Sequence, residues 1–456
     1  MADFETLRKE YPEFLYESFG VEKGEDEIIL SFRFSLGDWV FTPETRIKTD
    51  NLKLINAVDS PAAKRIAFYI GMVEAVSYWK AACAPKVRVL CGHLSEVEAS
   101  FFKKLWFGGL GEFFYRNSVK TDYESFVEIV SEGEKEEFGG SFNSSGINII
   151  PVGGGKDSAV TTELLSGFAD KNMFFTVNDQ PARSECVAAA GYDGGRIIRT
   201  YRTIDKNLLE LNRLGFLNGH TPFSAIVAFL GYYCAYIIGA KNIVLSNESS
   251  ANEANVGGEN VNHQYSKSYE FENDFDSFVK ERFGFDINYF SLLRPFNEAQ
   301  IAKMFSAYPK YLGVFKSCNA GSKKNIWCGN CAKCLFVFIM LSPFVEIGEL
   351  EKTFGCNMLT KTELMSDFEG LCGFSGIKPF ECVGTAREVN ACLELTLGKY
   401  EGVPKPALLS EYEKRRRPVS EEEIKRLFGE FNEINGIPAE FIPAVEGMHK
   451  YVSAVD

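Results

Sequence analysis

The sequence predicts an α/β protein. A central doubly wound parallel sheet is preceded by an N-terminal α+β domain and followed by a C-terminal extension. Three observations predict it. Between residues 147 and 246, apolar strand-like runs alternate with helix-like runs, the order that builds a parallel sheet covered on both faces. A glycine-rich stretch, Gly153-Gly154-Gly155-Lys156-Asp157-Ser158, joins the first of these strands to the first helix. Polar clusters follow three of the strands, at the sheet edge where such folds bind ligands.

The N-terminal domain, residues 1–140, opens on one clear strand. Ile28, Leu30, Phe32, Phe34 and Leu36 alternate with Ile29, Ser31, Arg33 and Ser35, the period of a half-buried strand. A second strand follows within Trp39–Ile47. Ser60-Pro61 then starts a helix with Ile66, Ile70, Val73 and Val76 on one face. Lys86–Leu90 reads as a strand and Glu96–Phe107 as a helix. The Glu-, Gly- and Ser-rich stretch from Glu132 to Gly146 reads as a linker.

The central domain, residues 145–341, has strands at Ile147–Val152, Met173–Val177, Arg196–Tyr201 and Asn242–Ser246. Helices fit Ser158–Phe168, Ser184–Ala190, Lys206–Leu214 and Pro222–Ile238. The last carries tyrosines, glycines and Ser224, which suits a buried helix better than a membrane span. In the extension, residues 342–456, Ser420–Phe428 begins a helix with acidic residues in its first turn.

The chain has 456 residues, 12 cysteines and a formal net charge of −13. So acidic a chain is a poor general nucleic-acid binder. The N-terminus shows no apolar leader, and the cysteine usage suits reduced thiols in the cytoplasm. No membrane association is expected.

The glycine stretch carries the chemistry. Glycine lets a backbone approach a phosphate closely and take positive φ without strain. The N–H groups of the loop and the following helix start then face the anion. Lys156 adds a positive charge, and Asp157 can hold a divalent cation that screens the phosphates. Nucleoside triphosphate binding and cleavage is the expectation. Asp179 and Asn247 lie at the ends of neighbouring strands and join Gly153–Ser158 as nucleotide-binding candidates. Glu248 and His263 join Lys156 and Asp157 as catalytic candidates, His263 because it stands in a dense polar stretch between apolar segments. A solvated loop is the alternative for His263. His220 at a helix start, Cys186 and Arg415-Arg416-Arg417 read as structural or solvated.

Cys318, Cys328, Cys331 and Cys334 are spaced to share one ion, and four thiolates suit tetrahedral zinc. An iron–sulfur cluster and four metal-free thiols are the alternatives.

The loop resembles the Ser-Gly-Gly-x-Asp-Ser loop of enzymes that cleave ATP to AMP and pyrophosphate. Gly153 stands where those enzymes usually carry serine. The cysteine spacing resembles the zinc motif of 7-cyano-7-deazaguanine synthase, which also carries that loop. Together with Asn247–Glu253, Val261–Ser268, Trp327–Cys334 and Pro379–Thr385, the chain is similar to one family. This is the ATP-dependent UDP-N-acetylmuramoyl-L-alanyl-L-glutamate epimerases of bacterial peptidoglycan synthesis. The resemblance implies an ATP-pyrophosphatase-type sheet and a small UDP-muramoyl dipeptide as substrate. It implies ATP with Mg2+, inversion of the terminal L-glutamate through an acyl-adenylate, and release of AMP and pyrophosphate. A ligase modifying a nucleobase or tRNA on the same loop, a carboxylate–amine ligase and a non-catalytic nucleotide sensor are the alternatives.

Overall fold

Adjacent residues of each central strand enter different cores. Ile149, Phe175, Ile198 and Ile243 join one buried cluster, while Ile150, Phe174, Ile197 and Val244 join the other. Successive side chains of a strand point to opposite faces, so one sheet separates two cores and helices cover both. The computed structural model describes residues 3–135, 140–249, 265–375, 379, 381 and 383–454.

The described strands are β1 (Glu13–Lys23), β2 (Glu27–Leu36), β3 (Trp39–Phe41), β4 (Glu44–Lys48), β5 (Lys86–Val89), β6 (Glu128–Ser131), β7 (Ile147–Pro151), β8 (Asn172–Val177), β9 (Ile197–Arg202), β10 (Ala240–Leu245) and β11 (Asn288–Ser291). They form one mixed sheet in the order β11-β10-β7-β8-β9-β4-β2-β1-β5-β6, with β3 paired to β2. The five strands from β11 to β9 are all parallel. The sheet runs on without a break across residue 140, because β4 pairs antiparallel with β9, Thr45 opposite Arg202.

The chain steps from β7 to β8 to β9 in one direction, then returns to β10 on the far side of β7. Helix Lys156–Leu164 follows β7 on one face, with Ala159 and Val160 in one core. Helix Phe223–Ile238 precedes β10 and buries its apolar residues in the other. The direction of winding therefore reverses between β7 and β10, and the crevice at their carboxyl ends is the place where such sheets bind ligands. Helix Pro61–Trp79, capped by Ser60, packs on the same face and is buried on nearly every side. No helix among the described residues is long and apolar enough to cross a membrane.

The structure departs from the reading of the sequence in several places, β6 and β11 among them. An eleven-residue strand, β1, was not expected. A register shift between Tyr16 and Ser18 breaks its alternation, and with it the signal. The described residues of the stretch read as a linker are tied down: Glu132 bonds Arg88, the Asn143 N–H donates to Asn56 Oδ1, and Ser145 Oγ donates to the Gly239 carbonyl.

At the amino ends of the parallel strands, asparagines form a ladder across the sheet. Asn288 Nδ2 donates to Asn242 Oδ1 at 2.9 Å, Asn242 Nδ2 to Asn148 Oδ1 at 2.9 Å, and Asn148 Nδ2 to Asn172 Oδ1 at 3.1 Å. These amides pin four strands in one register. An Asn148→Ala change orphans a buried donor and a buried acceptor, each costing about 1–3 kcal/mol. Urea unfolding of that variant is expected to show a loss of about 2–6 kcal/mol.

Candidate active site

The β7 strand delivers the chain into the glycine loop at the reversal point. Gly154 has φ +82, and a Cβ there would stand 3.1 Å from Ala182 Cβ and 3.2 Å from the Ala182 carbonyl carbon. Its own carbonyl accepts the Lys316 N–H at 2.7 Å. Glycine is required there by both conformation and space. Gly155 caps helix Lys156–Leu164 without any side-chain cap. A Cβ at Gly153 would meet nothing within 4 Å. Gly153 and Gly155 thus line the cavity at a helix N-terminus that no side chain caps, an arrangement suited to an anion. A Gly154→Ala change is expected to cost at least about 1–2 kcal/mol and disrupt the loop, whereas Gly153→Ala leaves the thermal midpoint unchanged. Thermal unfolding of the pair checks this.

The loop opens on a cavity of about 360 Å³. Gly153, Gly155, Asp157 and Ser158 form one wall, Phe175, Val177, Phe223 and Tyr289 supply apolar surface, and Asn247 comes from the end of β10. Among the described residues, four cationic side chains line it, Arg183, Lys267, Lys316 and Lys333, against one carboxylate, Asp157. The described lining of this acidic chain is thus locally cationic, which favours a polyanionic ligand. Arg183 donates to the Asn178 carbonyl at 2.7 Å, and Asn178 holds a left-handed conformation with φ 54 at the exit of β8. Burial pushes the Arg183 and Lys316 cations below their ordinary values, which makes an incoming anion a better partner than water.

Lys156 does not line this cavity. Its side chain is 3% exposed and its ammonium lies between Asp157 Oδ1 and Glu298 Oε2, donating to both. Burial alone would lower its pKa, but the two carboxylates outweigh burial and raise it. Asp157 is 30% exposed and faces the cavity. Burial opposes its ionisation, yet Lys156, Lys333 and Lys267 together hold its carboxyl below the ordinary value. An ionised carboxylate at the cavity surface, beside a phosphate-type loop, is a suitable donor for a hard divalent cation.

Glu298 was not anticipated from the sequence. It is the first residue of helix Glu298–Ser306, capped by a reciprocal Asn297/Gln300 box, and its N–H donates to Glu388 Oε1 at 2.7 Å. Burial raises its pKa to about 7, Lys156 opposes that, and Asp157 and Glu248 add to it. Nor were Lys267, Lys316, Lys333 and Arg183 singled out. Lys267 sits in the polar stretch around Ser266 and Ser268, and Lys333 lies inside the cysteine motif, so a signal was present for those two.

The other candidates divide. Ser158 lines the cavity, and its hydroxyl donates to the Gly155 carbonyl at 3.1 Å. Asn247 lines it too, with its carbonyl accepting from Ser291 Oγ at 2.6 Å. Glu248 is buried beside the Lys156–Glu298 pair, and its carbonyl accepts from Arg294 at 2.8 Å. Asp179 is not among the lining residues. Its oxygens accept from the Gln180 N–H, Ser184 Oγ and Arg199 Nε, so it organises the turn into helix Pro181–Ala189. His263 lies outside the described residues. Cys186 is buried, which pushes its thiol up to about 12. Arg415 pairs with Glu369 over the Phe374 ring, and Arg416 pairs with Glu394.

The four cysteine sulfurs all lie within 4.8 Å of one another. The sulfurs are 3.9 Å apart for Cys318–Cys331, 3.7 Å for Cys328–Cys334 and 3.5 Å for Cys331–Cys334. Ligands about 2.3 Å from a tetrahedral zinc stand about 3.8 Å apart, so the cluster fits one such ion. The Gly321 and Asn330 N–H groups point at the Cys318 and Cys328 sulfurs. Cys318 also lines the cavity, together with Lys316, Ser317, Asn319, Ser322 and Asn325 of the same loop. An ion here would set one cavity wall.

Residues 5–292 match the family model described as the MurL N-terminal domain, and residues 314–425 match the MurL C-terminal domain. Three curated relatives are each described as UDP-N-acetyl-alpha-D-muramoyl-L-alanyl-L-glutamate epimerase. The protein of Xanthomonas oryzae is 30% identical over 359 residues, covering 76% of this chain and 78% of its own length. That of Micromonospora is 35% identical over 337 residues, covering 73% and 74%. That of Salinispora tropica is 34% identical over 344 residues, covering 74% of each chain.

Proposed function

This chain belongs to the MurL family, and on that premise we propose that it inverts the terminal L-glutamate of UDP-N-acetylmuramoyl-L-alanyl-L-glutamate, using ATP and releasing AMP and pyrophosphate. The observation that carries the ATP step is the uncapped glycine loop opening on a cationic cavity. The relatives' name carries the substrate.

The chemistry explains why a nucleotide would serve an isomerisation. Two diastereomers differ little in free energy, so the barrier is the difficulty. A proton α to an ionised carboxylate is very weakly acidic, because its removal sets a second negative charge beside the first. Adenylylation neutralises the carboxylate and lets the carbonyl delocalise the carbanion. Each pKa unit gained is worth about 1.4 kcal/mol, so a shift on the order of ten units removes about 14 kcal/mol from deprotonation.

Residues of this chain take the following parts. Backbone N–H groups of Gly153–Gly155 and the helix start receive the phosphates, with the lining lysines compensating charge. Asp157 would hold magnesium, which when bound screens the phosphate oxygens. Lys156 keeps Asp157 ionised and aimed at the cavity from behind. Asn247, which lines the cavity, and the buried Glu248 follow β10 at the adjacent strand end and are the candidates nearest the glutamate. The substrate is a nucleotide-linked precursor, so the enzyme would act in the cytoplasm as a soluble catalyst of a small molecule. A pyrophosphate-release assay tests the reading. Release is expected only when ATP, magnesium and the L-glutamyl dipeptide nucleotide are all present. Release with no dipeptide, or none under any combination, counts against it.

A further inference from the structure

We propose that Glu298 is a positioning residue: it holds the Lys156 ammonium back from the cavity and so sets the charge with which Asp157 meets magnesium and phosphate. This rests on the ATP reading above.

The geometry is a chain of three charged groups running inward from the cavity. Asp157 stands at the surface, Lys156 behind it, and Glu298 behind Lys156. Lys156 and Glu298 are each 3% exposed, so neither can exchange its partner for water. An ammonium with Asp157 as its only carboxylate partner would neutralise that carboxylate and blunt its affinity for a cation. A second carboxylate on the far side divides the ammonium's charge, and Asp157 keeps net negative character toward the cavity. The three groups sum to one negative charge when all are ionised.

Glu298 is itself held from the C-terminal extension. Its backbone N–H donates to Glu388 Oε1, and Glu388 accepts from the Thr385 N–H with its other oxygen. Glu388 is buried and caps helix Ala386–Gly398. A Cβ at Gly384 would stand 3.1 Å from Glu298 Cγ and 2.8 Å from Glu388 Oε2, so glycine leaves the room these two carboxylates need. The groups facing Glu298 are Lys156 and Asp157 from the loop helix, Glu248 beyond β10, and Lys333 from helix Ala332–Leu341. The extension thus reaches the nucleotide loop through one carboxylate, which gives its residues 384–388 a part in the reaction.

The test uses the full-length protein with Glu298→Gln and Glu298→Asp. Binding of ATP is titrated calorimetrically at fixed magnesium, with no dipeptide, and thermal unfolding checks the fold. Glu298→Gln keeps the shape and removes the charge, so Lys156 falls wholly to Asp157. We expect ATP to bind about tenfold more weakly, the half-saturating magnesium concentration to rise about fivefold, and turnover to drop with the KM for dipeptide nucleotide unchanged. Glu298→Asp keeps the charge and is expected to recover most of the magnesium dependence. Wild-type affinity and magnesium dependence in Glu298→Gln would overturn the proposal. Should Glu298→Gln fail to fold, Glu298→Asp decides alone: a magnesium requirement within about twofold of wild type, with lowered turnover, supports it. A raised requirement equal to that of an Asp157→Asn control overturns it. A wild-type protein that binds magnesium and ATP but inverts no glutamate defeats the functional reading and leaves the binding arms of this test intact. One that binds no ATP defeats both.

Discussion

Replacing Lys156 with methionine is expected to reduce turnover by about a thousandfold and stability by about 3–5 kcal/mol. Methionine fills most of the lysine's volume, so the change is one of charge. The ammonium lies between Asp157 and Glu298 with almost no solvent contact. Without it the buried Glu298 carboxylate faces the Asp157 carboxylate, and one must take up a proton or move. Breaking a buried pair from one side leaves an uncompensated charge, which is why the loss exceeds that of a surface ion pair. Asp157 would also lose the group that keeps it ionised at the cavity. Urea unfolding and pyrophosphate release read the two effects separately. A Lys156→Met protein with more than about a tenth of wild-type turnover would refute this role.

The second large effect is expected at the cysteine cluster. Cys331 Sγ stands 3.9 Å from Cys318 Sγ and 3.5 Å from Cys334 Sγ, so it shares any ion the cluster holds with both. A Cys331→Ser change is expected to lower bound zinc from about one equivalent to below about a tenth, and stability by several kcal/mol. The loss should reach the active site, because the same loop carries Lys316, Ser317, Asn319 and Asn325 to the cavity wall. Elemental analysis and thermal unfolding of the purified proteins decide it. Wild-type protein that carries no zinc, or a variant that keeps it, would remove the metal from the account.

How far the sequence could be read follows from how local each signal is. Strands β7 and β8 were legible because each is a short apolar run leading into a glycine or asparagine turn, and helix Lys206–Leu214 was placed at its observed bounds. Strand β10 was expected two residues late, since Ala240 and Lys241 carry no strand signal of their own. The glycine loop was legible because its residue types have few other uses together. The Lys156–Glu298 pair was not, because its members are 142 residues apart and Glu298 looks like an ordinary first-turn acid of a helix. The asparagine ladder escaped for the same reason. One asparagine at the start of a strand carries no signal, and the four acquire their meaning only when β11, β10, β7 and β8 lie side by side. Sequence alternation also could not show that β4 joins β9 and makes one sheet of two segments. The placement of Lys156, behind Asp157 and against Glu298, was likewise not legible in the sequence.

The central claim is that activation of the glutamate carboxylate by ATP makes its α C–H bond breakable. The L-glutamyl dipeptide nucleotide is incubated with the enzyme and magnesium in heavy water, with and without ATP, and the product glutamate is analysed for configuration and deuterium. With ATP, inversion is expected together with deuterium at the α position and AMP formation. Without ATP, neither inversion nor exchange is expected. Inversion at an undiminished rate in the absence of any adenine nucleotide would contradict the account.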